Sequence, residues 1–263
     1  MKWNERIADK RLIFTVATGR CGTGFLAAAL RWLPGVDCFH EAAPDFVSAM
    51  RTAQHEPEHA VKFLISTKLP AIEACPAPVY IETSHLFCKG FAEPLWDLEV
   101  PFDLLHIHRP HREVALSLFR LNTIPGRTPA GVKYTLQPND PGVLTVENWQ
   151  SLTDYQLCYW YCLEIARRAN GYLQRAEQYG GKTYRTSLAD VSRPGGVQQV
   201  VKALELDLPK GWARLRWALA QRKRVNKRRW LRHAPQDTEL DRLEIEVERR
   251  IETSAELRQL VAA

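Results

Sequence analysis

No stretch of this sequence approaches the roughly twenty consecutive apolar residues that a membrane-spanning helix requires. The charged N-terminus, MKWNERIADKR, leads into an apolar run too short for a secretory signal. Internal repeats and low-complexity tracts are missing too, which sets aside solenoids and tail-like segments. Cysteine is sparse: Cys21, Cys38, Cys75, Cys88, Cys158 and Cys162 show no paired framework. Without a secretion signal, reduced thiols and a cytoplasmic location are the expectation. Cys158 and Cys162 share one helix face, but no further His or Cys stands nearby at metal-ligand spacing, so they read as a core pair.

What is present is enough for a real core. The chain has 263 residues, of which 45% are hydrophobic and 25% charged, a balance suited to a large α/β domain and not to wholesale disorder. The net charge of +6 favours anionic partners, whether a nucleotide, a phosphate-rich cofactor, nucleic acid or an acidic glycan, without choosing among them.

The stretch Arg11–Leu33, RLIFTVATGRCGTGFLAAALRWL, carries the most information. An apolar run (Leu12–Val16), a glycine-punctuated loop (Thr18–Gly24) and an amphipathic run (Phe25–Leu33) read as strand, tight loop and helix. That order aims backbone N–H groups and a helix dipole at an anion. Gly19, Gly22 and Gly24 let the backbone approach closely, while Arg20 adds a cation and Thr18 and Thr23 add hydroxyls. Gly19 and Gly24 have the spacing of the nucleotide-hydrolase loop, yet Phe25 and Leu26 stand where that loop has Lys and Ser or Thr. The parts that reach a metal–triphosphate are therefore missing, and the cation lies inside the loop.

Further strands are expected at Val36–Phe39, Val79–Ile81, Phe102–Ile107 and Lys182–Thr186. Helical stretches are expected at 43–69, 112–121, 155–176, 197–204 and 238–261, with Leu86–Trp96 as helix or loop. Strands alternating with helices argue for a mostly parallel sheet covered on both faces. The segment 123–150, rich in Pro and Gly, reads as a binding loop. A second motif is LLHIHRPHREVALSLFRL at Leu104–Leu121, where a strand leads into Arg109 and Ser117 follows eight residues later in a helix. Arg offers a planar fork of donors to phosphate oxygens, and a serine hydroxyl adds one more. His106 and His108 alternate on one strand face, but no third ligand stands out, and a sheet histidine satisfied by its neighbours accounts for them.

With TGRCGTGFL first and the Arg109–Ser117 pattern second, the chain resembles the sulfotransferases that use 3′-phosphoadenosine 5′-phosphosulfate (PAPS) as donor. The resemblance covers mainly residues 11–121, with weaker support to about residue 230. It implies a P-loop NTPase-like topology: a single α/β domain spanning 1–263, a sheet of about five mostly parallel strands, a core at about 11–230 and a C-terminal surface helix at 238–263. Residues Gly19, Arg20, Cys21, Gly22, Thr23, Gly24 and Phe25 would hold the 5′-phosphosulfate, and Arg109 with Ser117 the 3′-phosphate. The product would be 3′,5′-adenosine bisphosphate, with no metal. The acceptor would be a hydroxyl or amine of a small molecule, glycan or lipid, with 123–150 on the acceptor side.

Sulfuryl transfer needs stabilisation of the leaving oxygen, a base for the acceptor proton, and an in-line arrangement. The loop amides and Arg20 suit the first. For the base, Glu41 lies where glycan-modifying relatives carry a glutamate after the second strand, and His85 lies where small-molecule enzymes carry a histidine after the third. Glu82-Thr83-Ser84 resembles the Glu-Lys-Ser/Thr stretch of the glycan enzymes, with Thr83 in the lysine's place; Glu82 pairing with a neighbouring Arg and His40 capping a strand end are the ordinary readings. The basic run 222–232 is a solvated segment, a nucleic-acid patch, or a segment folding back on the 3′-phosphate, in which case Arg224 and Lys227 are the candidates. No nucleic-acid motif is recognised. The alternatives are a nucleotide-dependent phosphotransferase and a non-catalytic nucleotide- or nucleic-acid-binding module using 222–232. Tyr155, Tyr159, Trp160 and Tyr161 suit ring stacking and core packing equally.

Overall fold

Five short apolar runs become the strands β1 (Arg11–Val16), β2 (Val36–Phe39), β3 (Val79–Glu82), β4 (Asp103–His108) and β5 (Thr183–Ser187). A computed structural model describes residues 2–221, 232–233 and 236–251. The strands form one parallel sheet in the order β2-β3-β1-β4-β5. The near-continuous burial of β1 (all of Leu12–Val16) is what a central parallel strand covered on both faces requires. Ile13 sits opposite Ile81 of β3 and Asp103 of β4. The chain therefore reverses its direction of travel across the sheet on either side of β1, and the crevice at the C-terminal ends of these strands is where such sheets bind ligands.

Two compact units are present, Met1–Arg109 with Gly171–Lys227, and Pro110–Asn170 with Arg228–Ala263. The first contains the whole sheet. Its core is aromatic: Phe14 stacks on Phe87 with ring centroids 4.2 Å apart, Phe87 meets Phe102 edge-on at 5.5 Å, and Phe46 lies 4.6 Å from Phe91. Such pairs contribute about 0.5–1.5 kcal/mol each beyond the area they bury.

The expected single helical stretch at 43–69 is instead segmented into helices Val47–Ala53 and Pro57–Phe63, a π-helical turn Leu64–Lys68, and helix Leu69–Glu73. Pro57 starts its helix, and Pro70 is the second residue of Leu69–Glu73, directly after the π-turn, where its missing N–H is tolerated. The π-turn delivers Lys68 inward. Its Nζ lies 2.6 Å from Glu82 Oε2, donates to the carbonyls of Ala42 (3.1 Å) and Pro44 (3.0 Å), and stands 4.6 Å from the Phe46 ring centroid. Both side chains are buried, at 1% and 0% exposure. Burial pushes the Glu82 carboxyl above the ordinary carboxylate range, opposed by the Lys68 ammonium and by the Tyr80 hydroxyl, which donates to it at 2.7 Å. Glu82 pairs with a lysine, not with the arginine that the sequence suggested.

The second unit is helical, built on His111–Arg120, Pro129–Tyr134, the start of Asp154–Gln178, and Asp237–Arg250. Segment 123–150 is not featureless: Thr128 caps helix Pro129–Tyr134, and Ile124, Leu136 and Val146 are buried. Helix Asp237–Arg250 carries its charge on one face and buries Leu240, Leu243 and Val247 with the other. Arg112 pairs with Glu244 and Asp241. The hydroxyls of Tyr155 and Tyr159 donate to Glu244 and Glu248, and Trp160 Nε1 donates to the Leu144 carbonyl. With Tyr161 fully buried as well, these rings pack the core of their unit. Helix Gly211–Ala220 was not expected from the sequence. Arg224, Lys227 and the part of the C-terminal segment beyond Ile251 lie outside the described residues. Among the described residues no helix is long and apolar enough to cross a membrane.

Removing one partner of the buried pair leaves an uncompensated charge. Lys68→Met is expected to cost about 3–5 kcal/mol, read as a fall in the urea midpoint, and Lys68→Met with Glu82→Leu to recover most of it.

Candidate active site

The loop after β1 is held in shape by two left-handed residues, Arg20 (φ 74°) and Gly22 (φ 88°). Gly22 is required twice over. Its φ disfavours any side chain, and a Cβ would lie 2.6 Å from Leu188 Cδ1, on the segment that follows β5. At the other end, a Cβ on Gly19 would meet atoms of the His85 ring at 3.7 Å, so the loop runs across that imidazole. Helix Thr23–Leu30 starts directly after Gly22, with Leu26 N–H donating to the Gly22 carbonyl as its first bond. The N–H groups of its first turn thus have no intrahelical acceptor and carry the positive end of the dipole. Thr23 and Gly24 are buried, and Phe25 is half-buried.

Cys21 contributes packing. Its Sγ lies 2.8 Å from Thr18 Oγ1, and burial pushes the thiol up to about 11, so it stays protonated and is no thiolate nucleophile. The loop is braced from β3, where Thr83 Oγ1 donates to the carbonyls of Thr23 (3.0 Å) and Phe39 (3.2 Å). Threonine at the position where the glycan-enzyme pattern has lysine therefore serves as a polar strut between the helix start and the end of β2.

Arg109 follows β4 immediately, and its Nη1 donates to the Arg20 carbonyl at 3.2 Å. The second motif and the first are thus in direct contact. Ser117 is buried on helix His111–Arg120, in the other unit.

Glu41 and His85, chosen from different strand ends as rival bases, are brought together. Glu41 Oε1 lies 3.3 Å from His85 Nε2, with side chains 27% and 13% exposed. Glu41 has a left-handed backbone (φ 51°) just past β2, and the next residues, Ala42 and Pro44, are the carbonyls gripped by Lys68. His40 Nδ1 donates to the Thr83 carbonyl at 2.6 Å, which ties the strand end beside Glu41 to β3. On its other side His85 meets Lys89, whose Nζ lies 2.9 Å from Nδ1. Burial first, then the charges of Lys89, His40 and Arg20, hold the imidazole well below the usual histidine range.

Sequence reasoning missed Lys68 and Lys89. Lys89 stands four residues after His85, a weak signal; Lys68 carries none. The rings of His106 and His108 lie 5.9 Å apart, and among the described residues no group of three His, Cys, Asp or Glu is placed to hold a metal.

No protein-family model matches the chain, and no curated protein matches it in sequence. Among solved structures, the sulfotransferase domain from the curacin biosynthetic pathway superposes with a TM-score of 0.54 at 13% identity, covering 96% of each chain. Mouse sulfotransferase SULT7A1 complexed with PAP gives 0.52 at 10% identity, covering 99% of this chain and 92% of that one. The five-stranded parallel α/β fold is therefore that of the sulfotransferases. At this identity the likeness establishes the fold, and the chemistry rests on the residues.

Gly22→Ala, strained in φ and crowded by Leu188, is expected to cost about 1–3 kcal/mol. Gly35→Ala, at φ 67° with its nearest neighbour at 3.8 Å, is expected to cost less. Paired urea titrations of the two variants check the difference.

Proposed function

We propose that the chain is a sulfotransferase that moves a sulfuryl group from PAPS to an acceptor hydroxyl or amine. The observation that carries this reading is the contact between Arg109 and the Arg20 carbonyl. It gathers a guanidinium onto a loop that already presents a helix N-terminus and lacks the Lys and Ser/Thr of a metal–triphosphate site. The donor set suits an anion, and the glycines leave the backbone bare for close approach.

The loop 19–25 would hold the 5′-phosphosulfate. Arg109 would hold the 3′-phosphate, with Ser117 assigned to it from the sequence pattern alone. The donor, when bound, supplies the sulfuryl group. N–H groups of the loop and Arg20 stabilise negative charge on the departing phosphate oxygen. The Glu41–His85 pair takes the acceptor's proton as the new S–O or S–N bond forms and the old S–O bond breaks. Arg20 and Arg109 supply the positive charge without a metal. That mouse SULT7A1, a neighbour in fold, is complexed with PAP supports PAPS as donor. The acceptor would be a small molecule, glycan or lipid, reached from the side of 123–150, in a cytoplasmic enzyme.

Calorimetry with 3′,5′-adenosine bisphosphate and with ATP plus Mg²⁺ tests the donor. The bisphosphate is expected to bind without metal and more tightly than ATP, and Arg109→Ala to weaken it about ten- to a hundredfold. Preference for ATP with Mg²⁺ would favour a phosphotransferase and overturn the proposal. With an acceptor in hand, Glu41→Gln is expected to lower kcat by about 10²–10⁴-fold while bisphosphate binding persists.

A further inference from the structure

We propose that Lys89 is a positioning residue that fixes the tautomer of His85 and so makes Glu41, not His85, the group that takes the acceptor's proton. The inference rests on the sulfotransferase reading and deepens it.

Lys89 is fully buried. It sits in the turn after β3, where its carbonyl accepts from Gln54 Nε2 at 2.7 Å and its N–H donates to the Leu86 carbonyl at 2.9 Å. The backbone of this lysine is thus held from two sides, and its side chain reaches back to His85 Nδ1 at 2.9 Å. An ammonium group has three donors and no acceptor. With Lys89 as an ammonium, Nδ1 presents its lone pair to it. A neutral imidazole carries one N–H, so the proton resides on Nε2, and Nε2 points at Glu41 Oε1, 3.3 Å away. Nδ1 then accepts from a cation, while Nε2 carries its proton beside a carboxylate oxygen.

The consequence for the base follows. His85 has no lone pair to offer an acceptor unless Lys89 moves or loses its proton. Glu41 has Oε1 3.3 Å from the imidazole Nε2, and its carboxylate lone pairs suit a hydroxyl or amine proton. Its side chain keeps partial solvent access at 27% exposure, as an acceptor-facing group needs. Among the described residues, the charged and titratable groups facing His85 are Lys89, His40 and Arg20 on the positive side and Glu41 on the negative. The three basic groups oppose an imidazolium, in line with the neutral ring that an ammonium at Nδ1 requires. Lys89 acts here as a charge that cannot be hydrated away, and it decides which of two adjacent groups does the chemistry.

The test reads the tautomer directly. ¹⁵N spectra of histidine-labelled protein are expected to show His85 protonated on Nε2 and unprotonated on Nδ1 from about pH 5 to 9, with no titration near the ordinary histidine value. His85 protonated on Nδ1, or titrating at about 6–7, would overturn the proposal, and this measurement needs no variant. In Lys89→Met the imidazole is expected to titrate upward by on the order of one unit or more. In that variant kcat should fall about tenfold or more, the acid limb of the pH–rate profile should move up with the imidazole, and bisphosphate binding should be kept. An unchanged pH profile with a purely stability-linked loss would reduce Lys89 to packing and overturn its role. Bisphosphate calorimetry on the same samples separates the two readings. An Nε2–H tautomer without bisphosphate binding would sink the sulfotransferase reading and, with it, the catalytic consequence. Binding with the wrong tautomer would sink the Lys89 proposal alone.

Discussion

Lys68 is buried at 1% exposure, and the surroundings of Glu41 depend on how its charge is satisfied. One carboxylate from β3 and two carbonyls from the turn after β2 surround its ammonium. None of the three can drift without leaving part of the charge bare, a cost of several kcal/mol in a buried setting. The turn that follows Glu41 is therefore fixed relative to the third strand, and so is the carboxylate itself, through a backbone already committed to a left-handed conformation. His40, Thr83 and Thr23 extend the same bracing by hydrogen bonds into the start of helix Thr23–Leu30. The two halves of the candidate site, the glycine loop and the Glu41–His85 pair, share one buried polar scaffold.

A second layer of order comes from the sheet. With β1 between β3 and β4, the residues just past each strand end are neighbours: the glycine loop after β1, His85 and Lys89 after β3, Arg109 after β4. Residues distant in sequence become one site because parallel strands end on the same edge. The same order carries the likeness to two sulfotransferase structures at 10–13% identity, since the constraints on the core are volume and pattern and leave the identity of side chains open.

Much of this was legible in the chain. The apolar run and the glycines of Arg11–Leu33 fix strand, loop and helix almost by themselves, and all five strands fall within a residue or so of where their β-branched and aromatic runs place them. Glu41 and His85 were legible as candidates by their position after strands, but their mutual contact was not, because it joins different loops. The buried lysines were the least visible. A lysine in sequence reads as solvated, and only the fold reveals that Lys68 and Lys89 are buried, one against Glu82 and the other against His85. The segmentation of 43–73 was obscured by apolar residues that continue across Pro57 and Pro70, while helix Gly211–Ala220 lacks the strong apolar stripe that would announce it; Trp212, Leu215 and Leu219 are exposed.

The packing of Leu188 against Gly22 also has a meaning in time. Leu188 is synthesised roughly 160 residues after the loop, a delay on the order of ten to thirty seconds at ordinary translation speeds. β1 likewise waits for β4 to flank it. For that interval the glycine loop exists without the side chain that packs on it, so it cannot take its final shape until β5 and the segment after it have arrived.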